Sequence, residues 1–337
     1  VLDGVERPEH ELELLAGLLA CIEAEPFRAP LLVALQADLA TSGSPPSRRI
    51  ARLARLVDMI ESRRNMLFQP IAACGLLGTQ LAFAVEEWRA ACRGGVERWL
   101  AAVGEIEALA SLSCYAFEHP DDPFPAIADD GPLFDAVRLG HPLLPAGGGV
   151  RNDLRLDRGL QLLLVSGSNM SGKSTLLRSV GVATAMALAG APVRAERLTL
   201  SPLAIGASMR VTDSLQEGMS RFYAEIRRLR RILDIGEARP PLLFLLDEIL
   251  HGTNSHDRRI GAGALIRRLI EQGAVGLVTT HDLALVRVAE ELAPHAANVH
   301  FEDRLEGERI VFDYRLRDGV VQRGNAVELM RAIGLPV

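Results

Sequence analysis

The chain has 337 residues, enough for one large or two ordinary domains, each with its own hydrophobic core. Its 37 basic and 43 acidic residues give a net charge of −6. This argues against a protein that binds nucleic acid over most of its surface, but it allows local basic stripes. Because the four cysteines include no Cys-x-x-Cys pair, the sequence predicts neither a zinc site nor a disulfide framework, and a reducing cytoplasm fits it best.

Residues 1–112 are predicted to form an all-α domain, because apolar residues recur there at helical spacing. In the third helix they are Ile50, Leu53, Val57 and Ile60, and in the fifth Trp99, Val103, Ile106 and Ala110. Such stripes are typical of helices that pack on one another. Segment Ser42–Ser47, rich in Pro, Ser and Gly, is predicted to be a loop.

Two features of this helical region have alternative interpretations. The third helix carries six arginines, which fit a solvated face better than a contact with the DNA backbone. The most apolar window, Met66–Val85, could be a membrane segment or a buried helix. A membrane-spanning helix would have to bury Gln69, Pro70, Thr79 and Gln80 in hydrocarbon, so we expect a buried helix and no membrane contact from these residues.

At about Ser113 we place a domain boundary, because Pro, Asp and Phe replace the helical repeat around His119–Pro125. Short strands are expected up to His141, followed by a Gly-rich loop at 147–149. Beyond it, apolar runs alternate with helical stretches, so residues 113–337 are predicted to form an α/β domain with a mostly parallel sheet and crossover helices.

The last strands of this domain are expected to form an antiparallel hairpin on the sheet's edge. The apolar segments Val299–Phe301 and Ile310–Leu316 flank Gly307, and the second of them alternates in polarity.

A phosphate-binding loop is predicted where the apolar run Leu162–Val165 meets the pattern Gly-x-x-x-x-Gly-Lys-Ser. The glycines let backbone N–H groups point at phosphate oxygens, and the helix expected over Thr175–Leu188 presents its N-terminus to the same anion. The predicted nucleotide-binding residues are Gly167, Ser168, Asn169, Met170, Ser171, Gly172, Lys173, Ser174 and Thr175.

Lys173 is the only lysine in the chain, since all other basic residues are arginine. The chain thus has a compact ammonium on a flexible side chain at the position where its chemical difference from a planar guanidinium matters for binding phosphate. We predict that Lys173 neutralises the β and γ phosphates of ATP and that the hydroxyl of Ser174 ligates Mg²⁺.

Two further strand ends carry polar side chains. The run Leu242–Leu246 is followed by Asp247, predicted to hold Mg²⁺ through water, and by Glu248, predicted to polarise the attacking water. Val275–Thr279 is followed by His281, which could hydrogen-bond the γ phosphate or cap a helix.

Taken together, these motifs resemble the ATPase domain of the MutS mismatch-repair family. GSNMSGKST resembles the family's GPNMGGKST, DEILHGTNSHD resembles DEIGRGTSTFD, and TTHD resembles its TTHY-like switch. DSLQEGMSRFYAE resembles the signature DDLxxGxSTFxxE. Shorter likenesses occur at Arg138–Pro142, Arg151–Asp153 and Gly324–Pro336.

The resemblance implies a P-loop NTPase of the ABC class that hydrolyses ATP as a nucleotide-dependent head-to-tail homodimer. Ser220 would then reach the γ phosphate bound by the partner, and Asp257 would belong to the nucleotide site. The helices before Ser113 would correspond to part of the family's core and lever helices, preceded by a region missing from this sequence.

The chain also departs from the family's pattern. Ser168 and Ser171 replace Pro and Gly, and Arg221 replaces Thr in the signature. Gly149 stands where the family usually has an aromatic residue that stacks on adenine, so the choice between adenine and guanine stays open.

No mismatch-reading domain lies within these residues. The sequence therefore leaves two alternative functions open. The first is an ATPase coupled to double-stranded DNA, as in mismatch repair, and the second is an ATP-gated assembly protein that does not bind DNA. Salt-dependent binding to duplex DNA separates them. A transporter subunit is disfavoured because no LSGGQ-type segment precedes the Asp247 strand, and a helicase because too few residues follow the loop for a second motor domain.

Overall fold

A computed structural model describes residues 8–40, 43–62, 77–145, 149–209, 221–250, 252–306 and 309–321. The chain divides into two compact units, Val1–Cys114 and Tyr115–Val337. The segments Gly324–Pro336 and 147–148, for which the sequence predicts a closing helix and a loop, lie outside the described residues.

The described part of the first unit contains helices and no strand. They are α1 (Pro8–Ala24), α2 (Pro30–Asp38), α3 (Pro46–Ser62), α4 (Leu77–Ala91) and α5 (Gly95–Glu118), whose residues after Cys114 belong to the second unit. Three helices begin at a proline, which suits the first turn because N–H groups there have no intrahelical partner and proline lacks an N–H.

The core of the first unit is built mainly from α1, α3 and α5, with Leu19, Ile50, Trp99 and Val103 among its buried side chains. The predicted stripe of α5 is buried at Trp99 and Val103 but reaches solvent by Ala110. In α3, Ile50 is buried, and the remaining stripe residues are only half-buried.

Helix α5 is long and apolar enough to cross a membrane by length and composition, although few of its residues are buried. Of the apolar window that we expected to be a buried helix, residues 66–76 lie outside the described part of the chain. The remainder belongs to α4, where Leu81 is buried but Phe83 is 71% exposed, so this part of the window is buried on one side only.

The second unit is a mixed α/β structure with two sheets. Its strands are β1 (Ala126–Ile127), β2 (Phe134–Leu139), β3 (Asn152–Leu156), β4 (Leu162–Ser166), β5 (Arg197–Leu200), β6 (Ala204–Ser208), β7 (Leu242–Asp247), β8 (Val275–Thr280), β9 (Ala296–Glu306) and β10 (Arg309–Asp318). Its helices are α6 (Lys173–Leu188), α7 (Arg221–Gly236), α8 (Ser255–Glu271) and α9 (Leu283–Glu291).

The larger sheet has the strand order β10-β9-β4-β8-β7-β6. Adjacent strands in this sheet are parallel, except for β9 and β10. These two form an antiparallel hairpin at the edge of the sheet, as predicted. The predicted strands at Leu162, Leu242 and Val275 become β4, β7 and β8, which lie side by side in the middle of this sheet.

Alternate residues of β4 enter two different hydrophobic cores, so both faces of this strand are buried. Leu163 and Val165 pack with α6 and the smaller sheet, whereas Leu162 and Leu164 pack with α7, α8 and α9. Burial on both faces explains why the strand is an uninterrupted apolar run.

Candidate active site

The candidate site lies at the carboxyl ends of β4, β8 and β7. Ser166 at the end of β4 pairs with Thr280 of β8, and Thr279 of β8 pairs with Asp247 of β7. Because carboxyl ends of parallel strands meet at one edge, the residues that follow these strands are brought together there.

The loop from Gly167 to Gly172 bends sharply between β4 and α6. Gly167 has φ +150° and Gly172 has φ +106°, a region of backbone conformation that favours glycine. A Cβ atom at Gly167 would lie 2.8 Å from Ser171 Oγ, and one at Gly172 would lie 3.2 Å from the Tyr314 ring. The glycines therefore leave room for the Ser171 side chain and for the Tyr314 ring.

Lys173, in the first turn of α6, is 5% exposed and lies inside this loop. Its Nζ donates to the carbonyl oxygens of Gly167 and Ser168 at 2.8 and 2.7 Å. Burial lowers the pKa of Lys173 below its usual value, while the negative charges of Glu248 and Asp247 act against this shift. An ammonium held this way can turn from carbonyl oxygens to phosphate oxygens.

Asp247 is fixed by β8. Its Oδ1 accepts a hydrogen bond of 2.6 Å from the buried hydroxyl of Thr279, which in turn accepts one of 3.0 Å from the Glu248 N–H. Thr279 therefore sets the positions of both acidic residues.

The Glu248 carboxylate lies between two basic side chains. Its Oε1 is 3.9 Å from Lys173 Nζ and 3.4 Å from Nδ1 of His281. Glu248 is about one-third exposed and His281 about half, so both remain accessible to solvent. The three residues to which we assign catalytic roles are thus neighbours in space.

A cavity of ≈1010 Å³ adjoins this cluster. Its lining includes the predicted residues Asn169, Met170, Gly172, Lys173, Ser174, Thr175, Asp247 and Glu248. The lining also includes residues for which the sequence predicted no role, namely His141, Asn152, Arg178, Phe222, Glu225 and Tyr314.

The β9–β10 hairpin contributes Tyr314 to the lining of the cavity. Tyr314 lies there in a register shift of β10 with φ +53°, and its backbone oxygen accepts a hydrogen bond from the Asn152 side chain. His141 lies near Arg178, and the pKa of His141 is lowered, first by burial and then by the positive charge of Arg178. The lining thus includes an aromatic ring, a histidine and an arginine outside the phosphate loop.

The predicted residue Asp257 does not line the cavity. Asp257 lies in the first turn of α8, where its N–H donates to Asn254 Oδ1 at 2.9 Å and its carboxylate accepts from Asn254 Nδ2 at 2.7 Å. It therefore takes part in a helix cap and does not line the cavity. Ser220 lies outside the described residues.

Sequence reasoning missed Tyr314 and Glu225 for different reasons. Glu225 is the last residue of the DSLQEGMSRFYAE segment, but this pattern indicates no role for its final glutamate. Tyr314 had no local signal, because a strand that alternates in polarity commonly carries aromatic residues.

The part of the chain that carries this site is similar to known proteins. The MutS domain V family matches residues 163–337, which is more than half of the chain. An endonuclease MutS2 of Thermus thermophilus is 35% identical over 214 residues, covering 61% of this chain. A DNA mismatch repair protein MutS of Natronomonas pharaonis is 32% identical over 258 residues, covering 75% of it.

The matched regions amount to 27% and 29% of the lengths of these two relatives, so the chain corresponds to less than a third of each. The family match begins within β4 and includes the phosphate loop and the three strand ends on which the site is built. On this evidence the chain belongs to the MutS domain V family.

Proposed function

We propose that residues 113–337 bind ATP with Mg²⁺ and hydrolyse it, as a P-loop NTPase domain of the ABC class. The observation that carries the proposal is the convergence of Lys173, Asp247, Glu248 and His281 beside a cavity large enough for a nucleotide. A buried lysine at the start of a helix, with two carboxylates opposite, matches the requirements of phosphoryl transfer.

The residues of the site fit the ligand. The hydroxyls of Ser168 and Ser171 are buried without a hydrogen-bonding partner among the described residues, and N–H and O–H groups in a closed loop are suited to phosphate oxygens. Within the described part of the chain no three His, Cys, Asp or Glu side chains are grouped to hold a metal ion. This agrees with Mg²⁺, which is usually held by one or two protein oxygens together with substrate phosphates.

Ser174 and Asp247 would hold Mg²⁺, which when bound neutralises charge on the transferred phosphoryl group. Lys173 binds the phosphates, and Glu248 accepts the proton of the attacking water through its carboxylate. His281, 3.4 Å from Glu248, orients this carboxylate by a hydrogen bond.

The base of the nucleotide would stack on Tyr314, which lines the cavity together with Gly149, a residue without an aromatic side chain. Stacking on an aromatic face accepts any base, so this arrangement alone does not select adenine over guanine.

Two variants test the hydrolysis. Lys173→Ala should weaken ATP binding about 10- to 100-fold, since a charge-assisted hydrogen bond contributes about 1.5–3 kcal/mol. Glu248→Gln should keep the affinity but slow hydrolysis about 10²- to 10⁴-fold, the usual contribution of a general base. Titration with ATP and Mg²⁺ and steady-state phosphate release measure the two effects.

Arg230→Ala is the matched control, because it removes a basic residue from an exposed ion pair with Asp234 and should change neither quantity. Unchanged ATP affinity in Lys173→Ala, or wild-type turnover in Glu248→Gln, would contradict the assignment.

We further propose that two chains share each site, with Ser220 of one chain at the γ phosphate of the other, and that the helices of residues 1–112 couple hydrolysis to double-stranded DNA in the cytoplasm. The likeness to the mismatch repair protein supports the DNA partner. Binding to duplex DNA that weakens with salt is expected. Failure to bind duplex at low salt would favour the ATP-gated assembly protein.

A further inference from the structure

The loop that follows Asp247 is held in an unfavourable backbone conformation. Glu248 and Leu250 have φ +50° and +58°, although neither is glycine. Such conformations cost about 1–3 kcal/mol each and persist only where surrounding contacts fix them. The contacts that fix this loop therefore also determine where the Glu248 carboxylate points.

One of these contacts comes from α7. Glu225 is 8% exposed, and its Oε1 accepts a hydrogen bond of 2.6 Å from the Leu250 N–H. From the other side, the Arg258 guanidinium donates to the Leu250 carbonyl oxygen at 3.2 Å. The backbone of this buried leucine is thus held by two side chains.

The first turn of α7 also packs against the loop at Gly252, where a Cβ atom would lie only 2.8 Å from Phe222 Cβ. Together, Phe222 and Glu225 hold the loop at two points, while Thr279 holds the Glu248 N–H from the strand side. The backbone is therefore held both at Glu248 itself, by Thr279, and just after it, by Phe222 and Glu225.

We propose that Glu225 is a positioning residue for the hydrolysis reaction, holding the Leu250 N–H so that the Glu248 carboxylate faces the reacting phosphate. The inference depends on the proposed ATPase function. Glu225 acts through the backbone, so its role requires an acceptor oxygen at this place rather than a negative charge.

Glu225→Ala and Glu225→Gln separate these requirements. The alanine variant should keep its ATP affinity but lose turnover about 10- to 100-fold, because a misplacement of about 1 Å at a catalytic group has that effect. The glutamine variant retains an acceptor oxygen at the same reach and should recover most of the turnover. Asp234→Asn, on the same helix but in an exposed ion pair, is the control and should match the wild type.

A second measurement needs no nucleotide. Amide hydrogen exchange of the peptide that contains Leu250 should be faster in Glu225→Ala than in the wild type and restored in Glu225→Gln. If the alanine variant does not fold, Glu225→Asp, with its carboxylate retracted by one methylene, takes its place with the same expected results.

Wild-type turnover and exchange in the alanine or aspartate variant would overturn the proposal. So would a glutamine variant as impaired as the alanine variant, since this would show that the charge itself is required. If the wild type does not hydrolyse ATP, the proposed function fails, whereas the exchange experiment still decides whether Glu225 holds the loop.

Discussion

Asp122 is a buried carboxylate with two partners in the second unit. Arg194 Nη1 lies 3.3 Å from its Oδ1, and the Tyr115 hydroxyl donates to its Oδ2 at 2.8 Å. The pKa of Tyr115 is raised, first because burial disfavours the phenolate and then because of the hydrogen bond and charge of Asp122. The contact joins the end of α5 to the segment after it.

Tyr115→Phe should destabilise the protein by about 1.5–3 kcal/mol near neutral pH, the usual contribution of a hydrogen bond to a charged group. A raised pKa means that the folded state favours the neutral phenol. This contribution is therefore complete below pH 10 and is lost as the pH rises above it. Urea denaturation of the wild type and of Tyr115→Phe should show a smaller difference in the free energy of unfolding at pH 11 than at pH 8.

Asp122→Asn provides a comparison, because it leaves the buried Arg194 charge without its partner carboxylate and should destabilise by about 3–5 kcal/mol. A difference between Tyr115→Phe and the wild type that stays constant up to pH 11 would contradict the prediction.

At the scale of single residues, the sequence predicted those parts of the site that follow buried strands. Lys173, Asp247, Glu248 and His281 were identified because an apolar run followed by polar residues marks a strand end. Glu225 could not be assigned a role this way, since its contact with Leu250 joins residues 25 apart in the chain. Local patterns carry no information about such a pair.

Among the elements, Asn152 links the two sheets of the second unit. Its Nδ2 donates to the Tyr314 oxygen at 3.0 Å, and its Oδ1 accepts from the Leu316 N–H at 2.8 Å. It lies at the start of β3 and reaches the register shift of β10. The position of Tyr314 over the cavity therefore depends on the smaller sheet.

Asn152→Ala should lower the stability by about 1–3 kcal/mol, the sum of two ordinary hydrogen bonds, and should weaken nucleotide binding because Tyr314 loses its support. Thermal denaturation and nucleotide titration measure the two effects. The matched control is Asn254→Ala, which removes the cap of α8 at a loss of about 0.5–2 kcal/mol and should leave nucleotide affinity unchanged.

The control also tests Asp257, the partner of Asn254. Weaker nucleotide binding in Asn254→Ala would indicate that Asp257 does contribute to the nucleotide site. Unchanged binding in Asn152→Ala would contradict a contact between Tyr314 and the nucleotide.

The elements were predicted unequally well. The strands and helices around the phosphate loop were predicted because each is a long apolar or amphipathic run, and the hairpin because two apolar segments flank Gly307 in the sequence. The smaller sheet, with the order β1-β5-β2-β3, was not predicted as a sheet. It pairs residues 134–137 with residues 197–200, and strands of two to six residues give too weak a periodic signal to reveal such a pairing.

At the scale of the whole molecule, the proposed composite site predicts cooperation between two chains. Specific ATPase activity should rise with protein concentration, because nucleotide that binds the dimer better than the monomer drives association. Ser220→Arg should abolish hydrolysis while sparing ATP binding by the same chain.

Mixing Ser220→Arg with Lys173→Ala is the decisive measurement. In a mixed dimer one site would carry both lesions and the other neither, so part of the activity should return. Activity that is independent of concentration in a sample shown to be monomeric would refute the shared site.

The solitary lysine has a practical consequence for chemistry on the intact protein. Apart from the α-amine, Lys173 is the chain's only primary amine, and its lowered pKa leaves more of it as the uncharged nucleophile than an exposed lysine would have. A mild acylating reagent therefore has a single side-chain amine to modify besides the α-amine, and a bound nucleotide would shield it. The label found on the peptide that contains Lys173 then reports how many sites are free of nucleotide.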